Sequence, residues 1–352
     1  KGQENTIQYT IQQPLGVVVA IIPFNFPSDI FINKVPPALL MGNAVILKPA
    51  SINPLTLTRY VELLVEAGVP AGVISVVHGS GSVVGKTLTS SKKVDMVSLT
   101  GSTAAGIDAA KNCADHCAHS SLELGGNDAF ILCADGDMDL AIEETVWGRL
   151  YNTGQVCCAS KRFLVENSVK EEYIRRMVEK INSLKQGDPQ DMSTDIGCLV
   201  SEDAAIEVER QVNETIAAGA TLVCGGKRNG AFYEPTILDN VTPDMEVAKD
   251  MEIFGPVISV IGFDDLDEAI AIANKSIYGL SGSIITKDIS KAIKVIEKME
   301  CGGFVINGAS FFRSFEQPFG GWKYSGIGNE GIMTTLKEMS RTKTVILKNI
   351  TK

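Results

Sequence analysis

The segment GVVVAII (Gly16–Ile22) is a run of apolar, largely β-branched residues, which is typical of a strand buried on both faces. A second such run, AVIL, follows at Ala44–Leu47. Between them, FINKVPPALLMGN has helical spacing and ends at Gly42 and Asn43, a common helix stop. A strand, a helix and a strand in this order predict a βαβ unit with two parallel strands in one sheet.

The same alternation continues along the chain. Further strands are predicted at Val73–Gly79 and Val94–Gly101, and a helix is predicted to begin with Asn53 as its N-cap and Pro54 as its first residue. Longer helices such as Glu202–Ala218 follow and indicate a second α/β domain. The fold class predicted from the pattern is therefore α/β, with a parallel sheet covered by helices.

The composition excludes several classes of protein. A chain of 352 residues is too long for one core, so two domains are expected. The formal net charge of −10 disfavours a nucleic-acid partner or an anionic membrane surface. No apolar run reaches the roughly 20 residues of a membrane-spanning helix. Eight cysteines are too few for a disulfide scaffold, which predicts reduced thiols and a cytoplasmic location.

Three stretches hold residues that could carry chemistry. In NTGQVCC a reactive thiol at Cys157 or Cys158 and a pair of small core residues are equally good interpretations. Glu123 lies between leucines ahead of two glycines, which suits either a general base of tuned pKa or a turn cap. Asn25 lies in a proline-bounded aromatic turn, where its amide could donate to an oxyanion or stabilise the turn.

Two glycine-rich stretches and one cluster of cysteines and histidines are less specific. LTGSTAAG and GSGSVVG each follow a predicted strand and open a helix, but neither has the GxGxxG spacing of the dinucleotide fingerprint. CADHCAH (Cys113–His119) holds four potential ligands at helical positions that do not face one point. No metal site is therefore predicted.

The order of seven stretches resembles the hallmark motifs of the aldehyde dehydrogenase superfamily, and most of all its succinate-semialdehyde dehydrogenase branch. They are PFNFP, LKPAS, LTGSTAAG, LELGGN, GQVCC, EIFGPV and PFGGWKYSGIGNEG. The resemblance runs from about Pro14 to Gly331. It implies a Rossmann-like parallel-sheet cofactor domain, an α/β catalytic domain and a small oligomerisation strand element.

The resemblance also implies a division of the chain. An oligomerisation strand segment is expected at 1–14, the cofactor-binding domain at 15–125, the catalytic domain at 126–320, a return to the cofactor domain at 321–340 and an oligomerisation strand at 341–352. Family members carry a region ahead of the PLGVV motif that this chain lacks, so the N-terminal part of the cofactor domain is expected to be missing. The strands imply a homodimer or homotetramer.

Residue roles follow from the resemblance. Cys157 is implied as the nucleophile with Cys158 as its neighbour, Asn25 as the oxyanion donor and Glu123 as the base that activates water. The positions that match cofactor-binding residues are Phe24, Lys48, Ser51, Gly101, Ser102, Leu124, Glu252 and Phe254. The implied reaction is NAD(P)-dependent oxidation of a small-molecule aldehyde, with a semialdehyde as one candidate, to the carboxylic acid through a cysteine thiohemiacetal and a thioester.

The chain departs from the family pattern at residues that bear on specificity. Ser51 stands where members that prefer NAD often carry a glutamate, which favours NADP, with NAD also allowed, because no carboxylate would repel a 2′-phosphate. Asn33 and Tyr151 stand where the semialdehyde branch carries arginines. Arg313 could replace them or could be a surface charge, so Tyr151 and Arg313 are the candidate substrate residues.

Two other functions fit parts of the pattern. A CoA-acylating aldehyde dehydrogenase would transfer the acyl group to CoA, but such members generally lack the hydrolytic glutamate that Glu123 matches. A catalytically silent, truncated homologue would have no reason to keep Cys157, Glu123, Asn25 and Glu252 together.

Overall fold

A computed structural model describes residues 5–349 of the chain. The strands are β1 (Thr6–Pro14), β2 (Val17–Ile21), β3 (Ala44–Lys48), β4 (Ile74–Val76), β5 (Met96–Thr100), β6 (His119–Glu123), β7 (Asp128–Leu132), β8 (Ser160–Glu166), β9 (Thr221–Cys224), β10 (Arg228–Asn229), β11 (Phe232–Tyr233), β12 (Thr236–Asp239), β13 (Val257–Phe263), β14 (Tyr278–Gly279), β15 (Gly282–Ile285), β16 (Val305–Ile306), β17 (Trp322–Lys323), β18 (Gly326–Ile327) and β19 (Ser340–Lys348). The α-helices are α1 (Pro27–Leu40), α2 (Leu55–Glu66), α3 (Lys86–Thr89), α4 (Thr103–Ala114), α5 (Met138–Leu150), α6 (Asn167–Asn182), α7 (Glu202–Ala217), α8 (Leu266–Asn274), α9 (Ile289–Lys298) and α10 (Ile332–Glu338).

The chain divides into two compact units. The first unit comprises residues 1–123, 315–319 and 327–352, and the second comprises residues 124–314 and 320–326. The functions assigned to the predicted domains remain predictions. Residues 1–4 and 350–352 of the predicted oligomerisation strands lie outside the described residues. Among the residues described, no helix has both the length and the apolar character needed to cross a membrane.

The first unit contains a sheet whose parallel strands lie in the order β6-β5-β2-β3-β4. The predicted buried run is β2, in which Val18, Val19 and Ala20 are fully buried. It pairs with β3 on one side and β5 on the other, which confirms the predicted βαβ unit. The continuous apolar character of these strands follows from burial on both faces of a parallel sheet.

The helix after β3 differs from the prediction at its start. Helix α2 begins at Leu55, with Pro54 at the N-cap, so Asn53 is not the cap. Instead, the Asn53 side-chain amide donates to the carbonyl oxygen of Phe24 at 2.8 Å. A contact between residues distant in sequence therefore replaces the local cap that the sequence favoured.

Strands β1 and β19 form an antiparallel two-stranded ribbon in the first unit. The register pairs Thr6 with Lys348 and Pro14 with Ser340. The sequence predicted that both are oligomerisation strands; within the chain they pair with each other, and their role in oligomerisation stays a prediction. Because each residue of β1 is matched within the chain, the edges left for further pairing are the outer edges of the ribbon.

The second unit contains a seven-stranded sheet in the order β16-β15-β7-β8-β13-β12-β9. Its neighbouring strands are parallel except for the antiparallel pair β12 and β9. Strand β8 lies between β7 and β13 near the centre of this sheet, and its first six residues are buried. The cysteine pair lies just ahead of β8, separated from it by Ala159. The parallel sheets and their helices confirm the predicted α/β class.

Candidate active site

The carboxyl ends of the strands carry the predicted site residues of the first unit. Lys48 is the last residue of β3, Glu123 is the last residue of β6, and Gly101 follows β5 directly. The Gly101 N–H donates to the Glu123 carbonyl oxygen at 3.0 Å, so these two strand ends are adjacent. Glu123 is 2% exposed. Ligands of doubly wound sheets bind outside this edge, where helix N-termini also lie.

Lys48 and Ser51 both lie at the glycine-rich segment 79–85. The Ser51 hydroxyl donates to the Gly79 carbonyl oxygen at 2.9 Å. A Cβ atom at Gly85 would lie 3.8 Å from Lys48 Cε. Burial lowers the pKa of Lys48, whose ammonium donates to the Pro49 carbonyl oxygen at 3.2 Å. This corner of the first unit thus combines two groups that can bind a phosphate, the Lys48 ammonium and the Ser51 hydroxyl, with a glycine backbone that allows close approach.

The remaining residues of this edge are held by backbone contacts. Ser102 caps α4 by accepting a hydrogen bond from the Ala105 N–H at 3.3 Å. The Phe24 carbonyl is fixed by Asn53, and Asn25 follows it in a partly exposed turn. The structure therefore places Phe24, Asn25, Lys48, Ser51, Gly101, Ser102 and Glu123 in loops or strand ends at one edge of the sheet.

The nucleophile region of the second unit begins with a left-handed turn. Asn152, Thr153 and Gly154 have φ values of 48°, 55° and 78°. A Cβ atom at Gly154 would lie 2.3 Å from the carbonyl oxygen of Gly255, so only glycine fits this close approach. The turn before Cys157 is therefore packed against the EIFGPV segment that carries Glu252.

The two cysteines differ in exposure and in pKa. Cys157 is partly exposed, whereas Cys158 is buried. A hydrogen bond from the Cys158 thiol lowers the pKa of Cys157, with a further contribution from the positive charge of Lys161. The same hydrogen bond raises the pKa of Cys158. Cys157 is thus the thiol that ionises first and can be reached, as a nucleophile requires.

Lys161, which the sequence analysis did not single out, is a buried cation at this site. Its ammonium donates a short hydrogen bond to the carbonyl oxygen of Cys157 and lies 3.2 Å from Glu252 Oε1. Glu252 Oε1 also accepts the Gly126 N–H at 3.2 Å. Two adjacent basic residues ahead of the apolar run Phe163–Val165 are the sequence signal that could have indicated a buried cation here, although not which groups it contacts.

Leu124 and Phe254, the other residues of the second unit that match cofactor-binding positions, are buried and partly buried, respectively. The Leu124 N–H donates to the Ser325 carbonyl oxygen at 2.9 Å. Phe254 is partly exposed and follows Glu252 in the segment that Arg149 holds. Arg149 donates to the carbonyl oxygens of Ile253 at 2.8 Å and Val257 at 2.6 Å. These bonds fix the segment between Glu252 and β13.

Aromatic residues form a cluster on α5 and on the loop after β16. Tyr151 stacks on Phe311 at 5.8 Å between ring centroids, and Trp147 contacts both rings at 4.7 and 5.4 Å. Tyr151 is about half exposed, and Arg313 follows Phe311 by two residues. Trp147, Tyr151 and Phe311 thus form one aromatic cluster in the second unit, and the substrate role of Tyr151 and Arg313 stays a prediction.

The cysteines and histidines of CADHCAH do not converge on one point where a metal ion could bind. Cys113 is buried on α4, whereas Cys117 is exposed with a φ of 58°. Within residues 5–349, no group of three or more His, Cys, Asp or Glu side chains could hold a metal ion. All eight cysteines have free thiols.

Comparison with known families and proteins gives consistent matches. Residues 1–345 match the model of the aldehyde dehydrogenase family. A lactaldehyde dehydrogenase of Methanococcus maripaludis is 39% identical over 99% of this chain and 75% of its own length. A 3-sulfolactaldehyde dehydrogenase of Priestia aryabhattai is 38% identical over 98% of this chain and 72% of its own length.

Solved structures of the same kind superpose closely. A betaine aldehyde dehydrogenase of Staphylococcus aureus, solved in complex with NAD+, has a TM-score of 0.95 and 36% identity, and the match covers 99% of this chain and 72% of that one. An NAD-dependent aldehyde dehydrogenase of Sinorhizobium meliloti has a TM-score of 0.96 at 36% identity, over 99% and 70% of the two chains. These matches confirm the predicted fold.

The hydrogen bond between the two thiols predicts how Cys157 responds to pH. Replacing Cys158 with alanine removes the donor, so the pKa of Cys157 should rise and its thiolate should form only at higher pH. Alkylation of Cys157 by iodoacetamide, followed by peptide mass spectrometry across pH 6–10, should therefore slow severalfold near pH 7 and shift its inflection upward. Cys133→Ala, which removes a buried thiol elsewhere in the second unit, is the control. An unchanged profile in Cys158→Ala would contradict the assignment.

Proposed function

The chain belongs to the aldehyde dehydrogenase family, and we propose that it oxidises a small 2-hydroxyaldehyde to the acid with Cys157 as the nucleophile. As a member of that family it is an NAD(P)-dependent aldehyde dehydrogenase. The observation that carries the residue assignment is the accessible Cys157 thiol, whose pKa is lowered by the buried Cys158.

The proposed chemistry assigns one task to each residue. The Cys157 thiolate adds to the carbonyl carbon, and the Asn25 amide donates to the oxyanion that forms. When bound, a nicotinamide cofactor would supply the acceptor for the hydride that the adduct loses before hydrolysis. Glu123 then takes a proton from the water that attacks the thioester, which releases the acid and restores the thiolate.

The residues at the sheet edge of the first unit fit a dinucleotide. Lys48 offers a cation and Ser51 a hydroxyl beside the segment 79–85, and Ser102 begins a helix of twelve residues. In the second unit, Glu252 offers a carboxylate suited to ribose hydroxyls. Because Ser51 brings no negative charge to its position, we propose a preference for NADP over NAD.

The substrate class is proposed from the relatives and from the aromatic cluster. Lactaldehyde and 3-sulfolactaldehyde both carry a hydroxyl group next to the aldehyde carbon, and the relatives named for them cover this chain almost completely. Trp147, Tyr151 and Phe311 offer apolar surface for a short carbon chain. Arg313 offers a cation for an anionic substituent such as a sulfonate or carboxylate. The succinate-semialdehyde branch remains a prediction from sequence.

The ribbon of β1 and β19 supports a homodimer or homotetramer. Ile7, Tyr9 and Ile11 alternate along β1 and therefore share one face, where they are 51%, 46% and 38% exposed. Leu347, which pairs with Ile7, extends this apolar face. An isolated two-stranded ribbon is marginally stable in water, so a second copy covering this face would stabilise it.

The free thiols of all eight cysteines support the predicted cytoplasmic location.

Loss of the nucleophile should abolish turnover. Cys157→Ala is expected to lower kcat by at least about a thousandfold, because the neighbouring Cys158 thiol is buried with a raised pKa and is a poor replacement nucleophile. Reduced-cofactor formation would be followed with lactaldehyde, acetaldehyde, benzaldehyde and succinic semialdehyde, with NAD and NADP in parallel. Cys133→Ala, which removes a buried thiol elsewhere in the second unit, is the matched control and should retain turnover. Substantial activity in Cys157→Ala would reject the assignment, and a best rate with succinic semialdehyde would reject the proposed substrate class.

A carboxylate at position 51 should reverse the cofactor preference. Ser51→Glu is expected to lower kcat/KM for NADP by about tenfold or more, because its charge repels the 2′-phosphate, and to change kcat/KM for NAD much less. Gln8→Glu adds the same charge on the exposed ribbon and should change neither value. A wild-type preference for NAD of more than about tenfold would overturn the proposed preference.

Charges on the apolar face of the ribbon should dissociate the oligomer. The double variant Ile7→Lys, Tyr9→Lys is expected to be monomeric at micromolar concentration by light scattering, whereas the wild type is a dimer or tetramer. Thr10→Lys places a charge on the opposite face of the same strand and should leave the mass unchanged. A monomeric wild type would contradict the proposed assembly.

A further inference from the structure

The buried ammonium of Lys161 connects two parts of the second unit that the proposed chemistry uses separately. It donates to the carbonyl oxygen of Cys157, whose thiol is the nucleophile, and it forms an ion pair with Glu252. The Lys161 side chain is 2% exposed and the Glu252 side chain is 20% exposed. A salt bridge shielded to this degree is screened little by solvent. The Lys161 charge can therefore affect both the position of the Glu252 carboxylate and the charge environment of the Cys157 thiol.

The neighbouring arginine shows that a buried cation in this strand need not face the nucleophile. Arg162 lies on the opposite face of β8 and donates to four backbone carbonyl oxygens, those of Asn127, Ala248, Ile272 and Ala273. Its bonds hold loops of the second unit together and involve no carboxylate. Lys161, by contrast, bonds the nucleophile's own peptide group and a carboxylate, so its contacts are those of a residue that acts on the site.

The backbone at Gly126 packs closely against the Cys157 carbonyl group that Lys161 bonds. A Cβ atom at Gly126 would lie 2.9 Å from the Cys157 carbonyl oxygen and 3.1 Å from Asp128 Oδ1. The Gly126 N–H donates to the Glu252 carboxylate on which Lys161 also acts. The charged groups that act on the Cys157 thiol are Lys161, which favours its thiolate, and Glu252 and Asp128, which oppose it. Lys161 thus supplies a positive charge that offsets these two carboxylates.

We propose that Lys161 is a positioning residue that sets both the orientation and charge environment of Cys157 and the position of Glu252 for the cofactor ribose. The inference rests on the proposed roles of Cys157 and Glu252. Through its bond to the Cys157 carbonyl, the ammonium fixes the peptide that carries the thiol. Through its ion pair, it orients the largely buried Glu252 carboxylate, which also accepts a hydrogen bond from the Gly126 N–H.

The test measures Cys157 reactivity and cofactor binding separately. In Lys161→Met, alkylation of Cys157 by iodoacetamide at pH 7 without cofactor should slow about five- to tenfold, because the cation that favours the thiolate is gone. KM for the cofactor should rise severalfold in the same variant. Lys161→Arg keeps the charge and should restore alkylation to within about threefold of the wild type. Lys170→Met, which breaks a half-buried ion pair with Asp239 in the same unit, is the matched control and should change neither value.

A second variant tests the sign of the effect and does not depend on the folding of Lys161→Met. Glu252→Gln removes the negative charge that opposes the thiolate, so alkylation of Cys157 should become faster while KM for the cofactor rises. In the double variant Lys161→Met, Glu252→Gln, the increase in KM should be no greater than in Glu252→Gln alone, because Lys161 acts on the cofactor through Glu252.

The possible outcomes separate this inference from the proposed function. Equal alkylation rates in Lys161→Met and Lys170→Met, with both folded by circular dichroism, would overturn it, as would slower or unchanged alkylation in Glu252→Gln. An additive increase in KM in the double variant would overturn the link to Glu252. If Cys157 is not a fast-reacting thiol in the wild type, the proposed nucleophile itself fails.

Discussion

Parallel strands deliver their carboxyl ends to a single edge of a sheet, and the contribution of the first unit to the candidate site depends on this constraint. Strands β3, β5 and β6 end at Lys48, at the residue before Gly101 and at Glu123. These residues are distant in sequence, yet the register of the sheet makes their strand ends neighbours. Residues that must act on one ligand can therefore be dispersed through the chain and still lie together.

In the second unit, two buried arginines fix the backbone segments around the candidate nucleophile. Burial lowers the pKa of Arg149 to about 9 and that of Arg162 to about 10, so both guanidinium groups remain charged at neutral pH. Each donates to backbone carbonyls, which is how a charge can be buried without a carboxylate partner. The consequence is positional: Arg149 holds the segment after Glu252, and Arg162 ties β8 to the loops around it. The cysteine pair just ahead of β8 is thus attached to a fixed framework.

Much of this could be predicted from the sequence, because apolar runs and motif order are local properties. The buried runs predicted β2 and β3, and the order of seven stretches predicted the family and the fold. Contacts between distant segments could not be predicted. Asn53 was expected to cap α2 but bonds the Phe24 carbonyl instead. The contacts of Lys161 depend on β8 lying between β7 and β13, and nothing in the residues around Lys161 reveals that arrangement.

The left-handed turn ahead of Cys157 has a consequence for how the protein can be made more heat-resistant. Thr153 is β-branched and buried at a φ of 55°, a conformation that costs on the order of 1–3 kcal/mol. A residue that tolerates this backbone, such as asparagine, would relieve the strain at position 153 without changing the turn. Asn152 and Gly154 are of types that tolerate the left-handed region, so the strain of the turn, and the stability that can be regained there, lies at Thr153.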